Sequence, residues 1–287
     1  MMSAEKKIWV NGKLLSYPDA TISPLDRGFT LGDGLFETMR VHQGEIIRLS
    51  KHLTRLRRGA KVIALPLPWS DAEFAQAVLQ TLDVNHLQDA FIRLTVSRGV
   101  PSKRGLLMDE ATTKPSLIIQ CGEFFGYPIA LYERGVHAII STIRRNEHSP
   151  LANIKSLNYL DNILARREAD AQGADDALLL NTAGELACAS AANLFFVQDK
   201  NLITPPLSAG VLPGTMRNFV MREIAPRNGL IVQERRIKPN EIEKMDEAFL
   251  TNTLMGIMPL TSIDGQFVKS GKPGFVTSSL RKILDER

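Results

Sequence analysis

The chain is 287 residues long, 44% hydrophobic and 23% charged, with a net charge of +4, a length that suits one large domain or two small ones. No stretch approaches the roughly 18 apolar residues of a membrane span, and Met1 to Gly12 contains no apolar signal core. The basic residues are spread among 31 acidic ones rather than gathered in a block, so a cytoplasmic protein handling small anions is expected, with no membrane and no nucleic acid as partner.

In chain order, residues 7–15 (KIWVNGKLL) read as a hairpin, because two apolar runs flank Asn11-Gly12, a dipeptide that strongly favours a tight turn. Residues 36–49 read as a second hairpin with a polar turn at His42 to Gly44. Ser50 is the expected N-cap of a helix through about Ala64, with Leu53, Leu56, Ala60 and Ile63 on one face. A helix near 71–82 and strands near 90–98 and 115–121 complete an α+β domain over residues 1–121. The aperiodic stretch 122–134, with Gly122, Gly126 and Pro128, is taken as the interdomain linker. From 135 to 287 an α/β domain is expected: strands near 136–143, 176–181, 193–198, 230–235, 247–252 and 257–263, and helices near 158–172, 215–226 and 274–284.

Signatures of P-loop proteins, zincins, serine hydrolases and zinc ribbons are absent. Cys121 and Cys188 are too few and too far apart for a disulfide framework or a metal cluster, and no metal site is expected. Lys155 follows the apolar Ile154 and precedes an amphipathic segment. Partial desolvation there lowers an amine pKa toward the range in which it attacks a carbonyl. Taken alone, a lysine in this setting is more often a surface residue.

Four blocks shift that balance: LDRGFTLGDGLFETMRV (25–41), HLTRL (52–56), IKSLNYLDNILARREA (154–169), and ASAANLFFV with TPPLSAGVLPGTMRN (189–197 and 204–218). In order and spacing they resemble the class IV pyridoxal-phosphate (PLP) enzymes, which comprise branched-chain aminotransferases, D-amino-acid aminotransferases and aminodeoxychorismate lyases. The resemblance implies an α+β, two-domain fold of PLP fold type IV, with the cofactor between the domains. It also implies a homodimer and a small amino or carboxylate substrate. By position, Lys155 resembles the Schiff-base lysine and Tyr159 the tyrosine aimed at the cofactor's phenolic oxygen, which a packed helix aromatic would explain as well. Arg55 resembles the phosphate-binding arginine, a role suited to a planar fork. The turn at Gly214, Thr215 and Met216 resembles the helix start that binds the phosphate through backbone amides, with Thr253 adding a hydroxyl. Thr215 and Met216 replace a frequent Ile-Thr, so the amide contacts carry over and the side-chain contact does not. Phe36, Arg93, Arg98 and Leu254 fall at substrate-binding positions.

One departure stands out. The family's glutamate that pairs with the pyridine nitrogen falls on Cys188, and Glu185 takes its place only if the local register differs. Three segments, SRGVPSKRG (97–105), ASAANLF and TNTLMGIMPL (251–260), resemble the lyase, whose product becomes aromatic and so demands less of the ring as an electron sink. KSLN at 155–158 and the position of Arg98 resemble the D-amino-acid aminotransferases. Lyase and aminotransferase both stay open, as does a PLP-binding protein without turnover. Arg93 and Arg98 lie five residues apart on one strand, so at most one faces the substrate from the strand proper.

Overall fold

The computed structural model describes residues 6–103, 105–107 and 114–285, in two compact units. The first gathers the described residues of Met1–Phe125 together with Ile154–Asn158; the second gathers Gly126–Asn153 and the described residues of Tyr159–Arg287.

The first unit is a six-stranded sheet in the order β2-β1-β6-β5-β3-β4. Its strands are β1 (Lys7–Val10), β2 (Lys13–Ser16), β3 (Gly34–His42), β4 (Glu45–Ile46), β5 (Ala90–Ser97) and β6 (Ser116–Glu123), all paired antiparallel. Both expected hairpins are present. Asn11 and Gly12 turn the first at φ 48° and 93°, and Gln43 and Gly44 turn the second at φ 49° and 80°, the left-handed geometry that matches strand twist in tight hairpins.

Leu35, Met39 and Val41 of β3, Ile92, Leu94 and Val96 of β5, and Leu117, Ile119 and Cys121 of β6 all point into one core. Helices α2 (Leu49–Val62) and α3 (Asp71–Val84) cover that face, and a short helix α1 (Arg27–Leu31) precedes β3. α3 begins on a capping box in which Ser70 Oγ accepts from Glu73 N and Glu73 returns a bond to Ser70 N. The cap expected at Ser50 is not there. α2 starts after Arg48, which sits at φ 60°, because Leu49 already packs on the core, and Ser50 lies inside the first turn.

Residues 154–158 run beside the start of β3. Phe36 N donates to Lys155 O, Leu157 N donates to Gly34 O, both at 3.0 Å, and Leu35 forms an antiparallel bridge with Ser156. The approach requires glycine at position 34, where a Cβ would stand 2.4 Å from Val96 O and 2.7 Å from Leu157 Cδ1. Lys155 therefore packs with the first unit, not with the C-terminal domain in which sequence order had placed it. The linker expected over 122–134 is mostly structured: β6 runs to Glu123 and helix α4 spans Ile129–Arg134.

The second unit is built on a nine-stranded sheet, β12-β11-β10-β13-β14-β7-β8-β9 with β15 beside β14. Its strands are β7 (Val136–Arg145), β8 (Asp176–Asn181), β9 (Leu186–Ala189), β10 (Asn193–Gln198), β11 (Asn201–Thr204), β12 (Ile231–Glu234), β13 (Glu247–Asn252), β14 (Gly256–Ile263) and β15 (Gln266–Phe267). β14–β7, β7–β8 and β11–β12 are parallel. Helix α5 (Leu160–Ala171) packs through Ala165 and Ala169 on Ile139, Ala177 and Leu179. The expected helix over 215–226 is three pieces, α6 (Thr215–Phe219), a π turn (Val220–Ile224) and α7 (Ala225–Arg227). Pro226 has no N–H for the helix ladder, and the wide turn lies just ahead of it. With α8 (Phe275–Asp285) these pieces bury Phe195, Val197, Phe219, Phe249 and Leu280. The four-residue strands β9 and β11 were not anticipated. No helix among the described residues is long and apolar enough to cross a membrane.

Candidate active site

In the first unit the alternation of β3, β5 and β6 that fills the core leaves an opposite, open face. Thr38, Arg93 and Gln120 stand side by side across the three strands, and Phe36, Thr95 and Ile118 form the next row. Thr38, Phe91, Arg93, Thr95 and Gln120 line a cavity of about 500 Å³. Two cations meet over the buried Phe36 ring: the Arg93 guanidinium carbon lies 3.3 Å and Lys155 Nζ 4.3 Å from its centroid. Arg98, just beyond β5, is turned elsewhere. Its Nε donates to Asp33 (2.8 Å), Nη1 to Ala64 O (2.7 Å) and Nη2 to Ile63 O (2.6 Å). Arg27 Nε meets the same Asp33 oxygen at 2.8 Å. Burial works to raise the Asp33 carboxyl, yet the two guanidinium groups hold it below the usual carboxylate range. Arg98 thus clasps the end of α2 to the start of β3, while Arg93 is the arginine that stands on the open face of β5. Arg104, within the lyase-like stretch 97–105, lies outside the described residues.

Arg55 reaches from α2 to a carboxylate that sequence reading did not single out. Glu37, fully buried on the core face of β3, accepts from Arg55 Nε (2.8 Å) and Nη2 (2.6 Å), and its Oε2 is 2.6 Å from His52 Nδ1. Burial pushes Glu37 up, but the charge and hydrogen bonds of Arg55 and the bond from His52 prevail and hold it at about 2. Burial pushes His52 down against the pull of Glu37, with the charges of Arg55 and Lys155 adding to the depression. His52 is accordingly neutral, its Nδ1–H donating to Glu37. The fork is thereby fixed in direction: Glu37 takes the Nε–Nη2 edge and the Nη1 end is aimed by a buried pair.

In the second unit Gly214 opens α6 with no side-chain cap, and the backbone amides of a helix start suit an anion. A Cβ at Gly214 would stand 2.0 Å from Asn193 Oδ1, and Asn193 Nδ2 fixes the approach by donating to Leu212 O (2.9 Å). Thr215 Oγ1 and Thr253 Oγ1 are 3.2 Å apart. Asn252 Oδ1 accepts from Leu254 N and Met255 N, shaping the loop that presents Thr253 and the half-buried Leu254. Met216 is buried in the apolar cluster behind the helix, so only its backbone is available. Tyr159 is the half-buried residue preceding α5.

Cys188 is buried on β9, opposite Leu179 of β8, among Ala165, Ala169 and Val211. Burial pushes its thiol up, against the charge of Arg145 and with that of Asp176. Glu185 does not substitute: its carboxylate accepts from Asn181 Nδ2 (2.9 Å) and Arg236 Nη1.

Both donor sets suit PLP. The first unit offers an amine for an aldehyde and an aimed guanidinium, and the second offers an uncapped helix start and a hydroxyl pair suited to phosphate. A neutral thiol is the one element that does not match a protonated pyridine. A two-unit α+β fold carrying these groups defines a PLP-dependent enzyme of fold type IV. Residues 34–263 match the amino-transferase class IV family, and the chain belongs to it. A Methanocaldococcus jannaschii protein provisionally named a branched-chain-amino-acid aminotransferase is 35% identical over 283 residues, covering 96% of this chain and 94% of its own. The aminodeoxychorismate lyase of Bacillus subtilis is 30% identical over 276 residues, 96% of this chain and 92% of its own. Among solved structures, the branched-chain aminotransferase of the archaeon Thermoproteus uzoniensis, with norvaline, superposes with a TM-score of 0.88 at 32% identity, covering 98% of this chain and 94% of its own.

Proposed function

We propose that this PLP enzyme is a 4-amino-4-deoxychorismate lyase, releasing 4-aminobenzoate and pyruvate, and that it works as a cytoplasmic homodimer. The observation that carries the reading is the neutral thiol of Cys188 with Glu185 tied to Arg236. A site without a carboxylate for the pyridine nitrogen suits a reaction whose electrons depart with a leaving group while a ring becomes aromatic. When bound, the cofactor supplies an electron-withdrawing ring at the amine-bearing carbon of the substrate.

Lys155 Nζ is the amine that binds the PLP aldehyde and then serves as the base. The C–H bond at the amine-bearing carbon breaks and its proton goes to Nζ. The C–O bond to the enolpyruvyl group breaks on the neighbouring carbon, and protonation of the departing enolate at its methylene gives pyruvate. Arg93, stacked on Phe36, would hold a substrate carboxylate, and Leu254 keeps the substrate-binding role that the resemblance gives its position. Arg55, aimed by Glu37, the amides of Thr215 and Met216, and the Thr253 hydroxyl would hold the phosphate, and Tyr159 would donate to the phenolic oxygen.

The purified, PLP-loaded protein, given aminodeoxychorismate, is expected to form 4-aminobenzoate and pyruvate in equal amounts. No 4-aminobenzoate, with rapid conversion to pyridoxamine phosphate on adding an L- or D-amino acid, overturns the lyase and establishes an aminotransferase. That second reading is favoured by the 35% identity to a protein named for branched-chain transamination.

A further inference from the structure

Cys188 and the phosphate-suited groups of the second unit belong to one rim. Asn252 Nδ2 donates to Ala191 O (3.2 Å) and Asn193 Nδ2 to Leu212 O (2.9 Å), so the turn between β9 and β10 is tied both to the Thr253 loop and to the segment entering Gly214. Val211 of that segment packs in the same apolar cluster as Cys188. The position that the family resemblance gives to the partner of the ring nitrogen is thus on this rim, and it is a thiol.

Four carboxylates of the surrounding elements, those of Glu185, Asp176, Glu168 and Glu147, are engaged elsewhere. Glu185 is held by Asn181 and Arg236. Asp176 accepts from Ala177 N (2.8 Å) and from Ser190, and it stands three residues from Leu179 on β8, so it faces the other side of the sheet from Cys188. Glu168 of α5 accepts from Ser141 Oγ (2.6 Å) and from Thr142. Glu147 accepts from Thr182 N (3.0 Å) and Oγ1 (2.9 Å). The charge that reaches Cys188 from β7 is positive: Arg145, whose Nε donates to Gly210 O (3.1 Å) and Nη2 to Ala152 O (2.8 Å). A pyridinium there would meet like charge from Arg145, opposed by the lesser charge of Asp176 and with no carboxylate at position 188 to pair with it, which disfavours protonation of the ring.

We propose that this enzyme holds PLP with its pyridine nitrogen unprotonated, the Cys188 S–H acting as a neutral donor to that nitrogen and Arg145 as the cation that keeps it from accepting a proton. A thiol is a weak donor, so it orients the ring without supplying the charge a carboxylate supplies. The inference rests on the reading that Lys155 carries PLP and deepens it: ring protonation, set at position 188, selects against reactions that build full carbanion character.

The test is the nitrogen resonance of holoenzyme loaded with PLP labelled with ¹⁵N in the ring. The wild type is expected at the downfield position of a neutral pyridine, Cys188→Ser is expected to stay there, and Cys188→Glu is expected to move upfield to the pyridinium position. A pyridinium signal in the wild type overturns the proposal, as does a folded Cys188→Glu holoenzyme with an unmoved signal. If Cys188→Glu does not fold, the wild type and Cys188→Ser decide. Borohydride reduction followed by mass analysis of the Lys155 peptide separates the two levels. No adduct on Lys155 overturns the PLP reading and this proposal together, whereas an adduct with a protonated ring overturns this proposal alone.

Discussion

Replacing Glu37 with glutamine keeps the volume and removes the charge that Arg55 and His52 enclose. Glu37 is held at about 2 against an ordinary 4.5, a difference worth about 3 kcal/mol at about 1.4 kcal/mol per pH unit. Breaking a buried pair by deleting one partner costs about 3–5 kcal/mol, the same order, out of a typical total of about 5–15 kcal/mol. Because the folded value lies below the unfolded one, this stabilisation is fully present above about 4.5 and is lost as the pH falls toward 2. His52 adds a loss of the same sign that starts below its ordinary 6.5, since the unfolded chain takes up a proton there that the fold resists. Trp9 and Trp69 both lie in the first unit, so urea unfolding followed by tryptophan fluorescence reads this part of the molecule. At pH 7 Glu37→Gln is expected to be less stable by about 3 kcal/mol, and the gap is expected to close as wild type and variant are compared at pH 4 and then 3. A gap below about 0.5 kcal/mol at pH 7, the scale of an ordinary surface change, or one independent of pH, would refute the argument. The same variant is expected to release PLP more readily, because Arg55 loses the partner that aims it.

Lys155→Ala is expected to abolish the borohydride-fixed adduct and turnover, read by mass spectrometry and product assay; a wild-type adduct elsewhere would sink the assignment. Arg93→Ala and Arg98→Ala should separate cleanly: the first lowers kcat/KM by about 10- to 100-fold through loss of a charged contact worth about 1.5–3 kcal/mol, while the second lowers the melting temperature because Asp33 and the end of α2 lose their clasp. A kinetic defect without a stability defect in Arg98→Ala would reverse their roles. Gly34→Ala is expected to destabilise the first unit and displace the Lys155 strand, since its Cβ has no room beside Val96 O; unchanged melting and PLP uptake would contradict that.

Much of this was legible from residue types. The Asn11-Gly12 turn, the periodicity of α2 and the alternation of β5 and β6 follow from local rules, and they placed Arg93 and Arg98 on different sides. Glu37 was legible too, in hindsight: it occupies the phase of Leu35, Met39 and Val41, where a charge signals a buried partner, and His52 lies on the apolar face of α2 with Leu53 and Leu56. What local pattern does not carry is β9, four residues whose strand character comes from pairing with β8, and the start of α2, decided by how Leu49 docks rather than by a capping side chain. The π turn before Pro226 depends on how the chain absorbs a missing donor, which composition does not encode.

The strand at 154–158 has a consequence for biosynthesis. The main-chain groups of Gly34 and Phe36 that face it are translated more than a hundred residues before their partners, and the whole of β7 emerges in between. The amino-terminal unit therefore leaves the ribosome lacking one strip of its own sheet margin, and Lys155 arrives within that missing strip. A chain ending at Phe125 would carry an unpaired edge and lack Lys155, so the completed sheet margin is a late product of translation rather than a property of the first half.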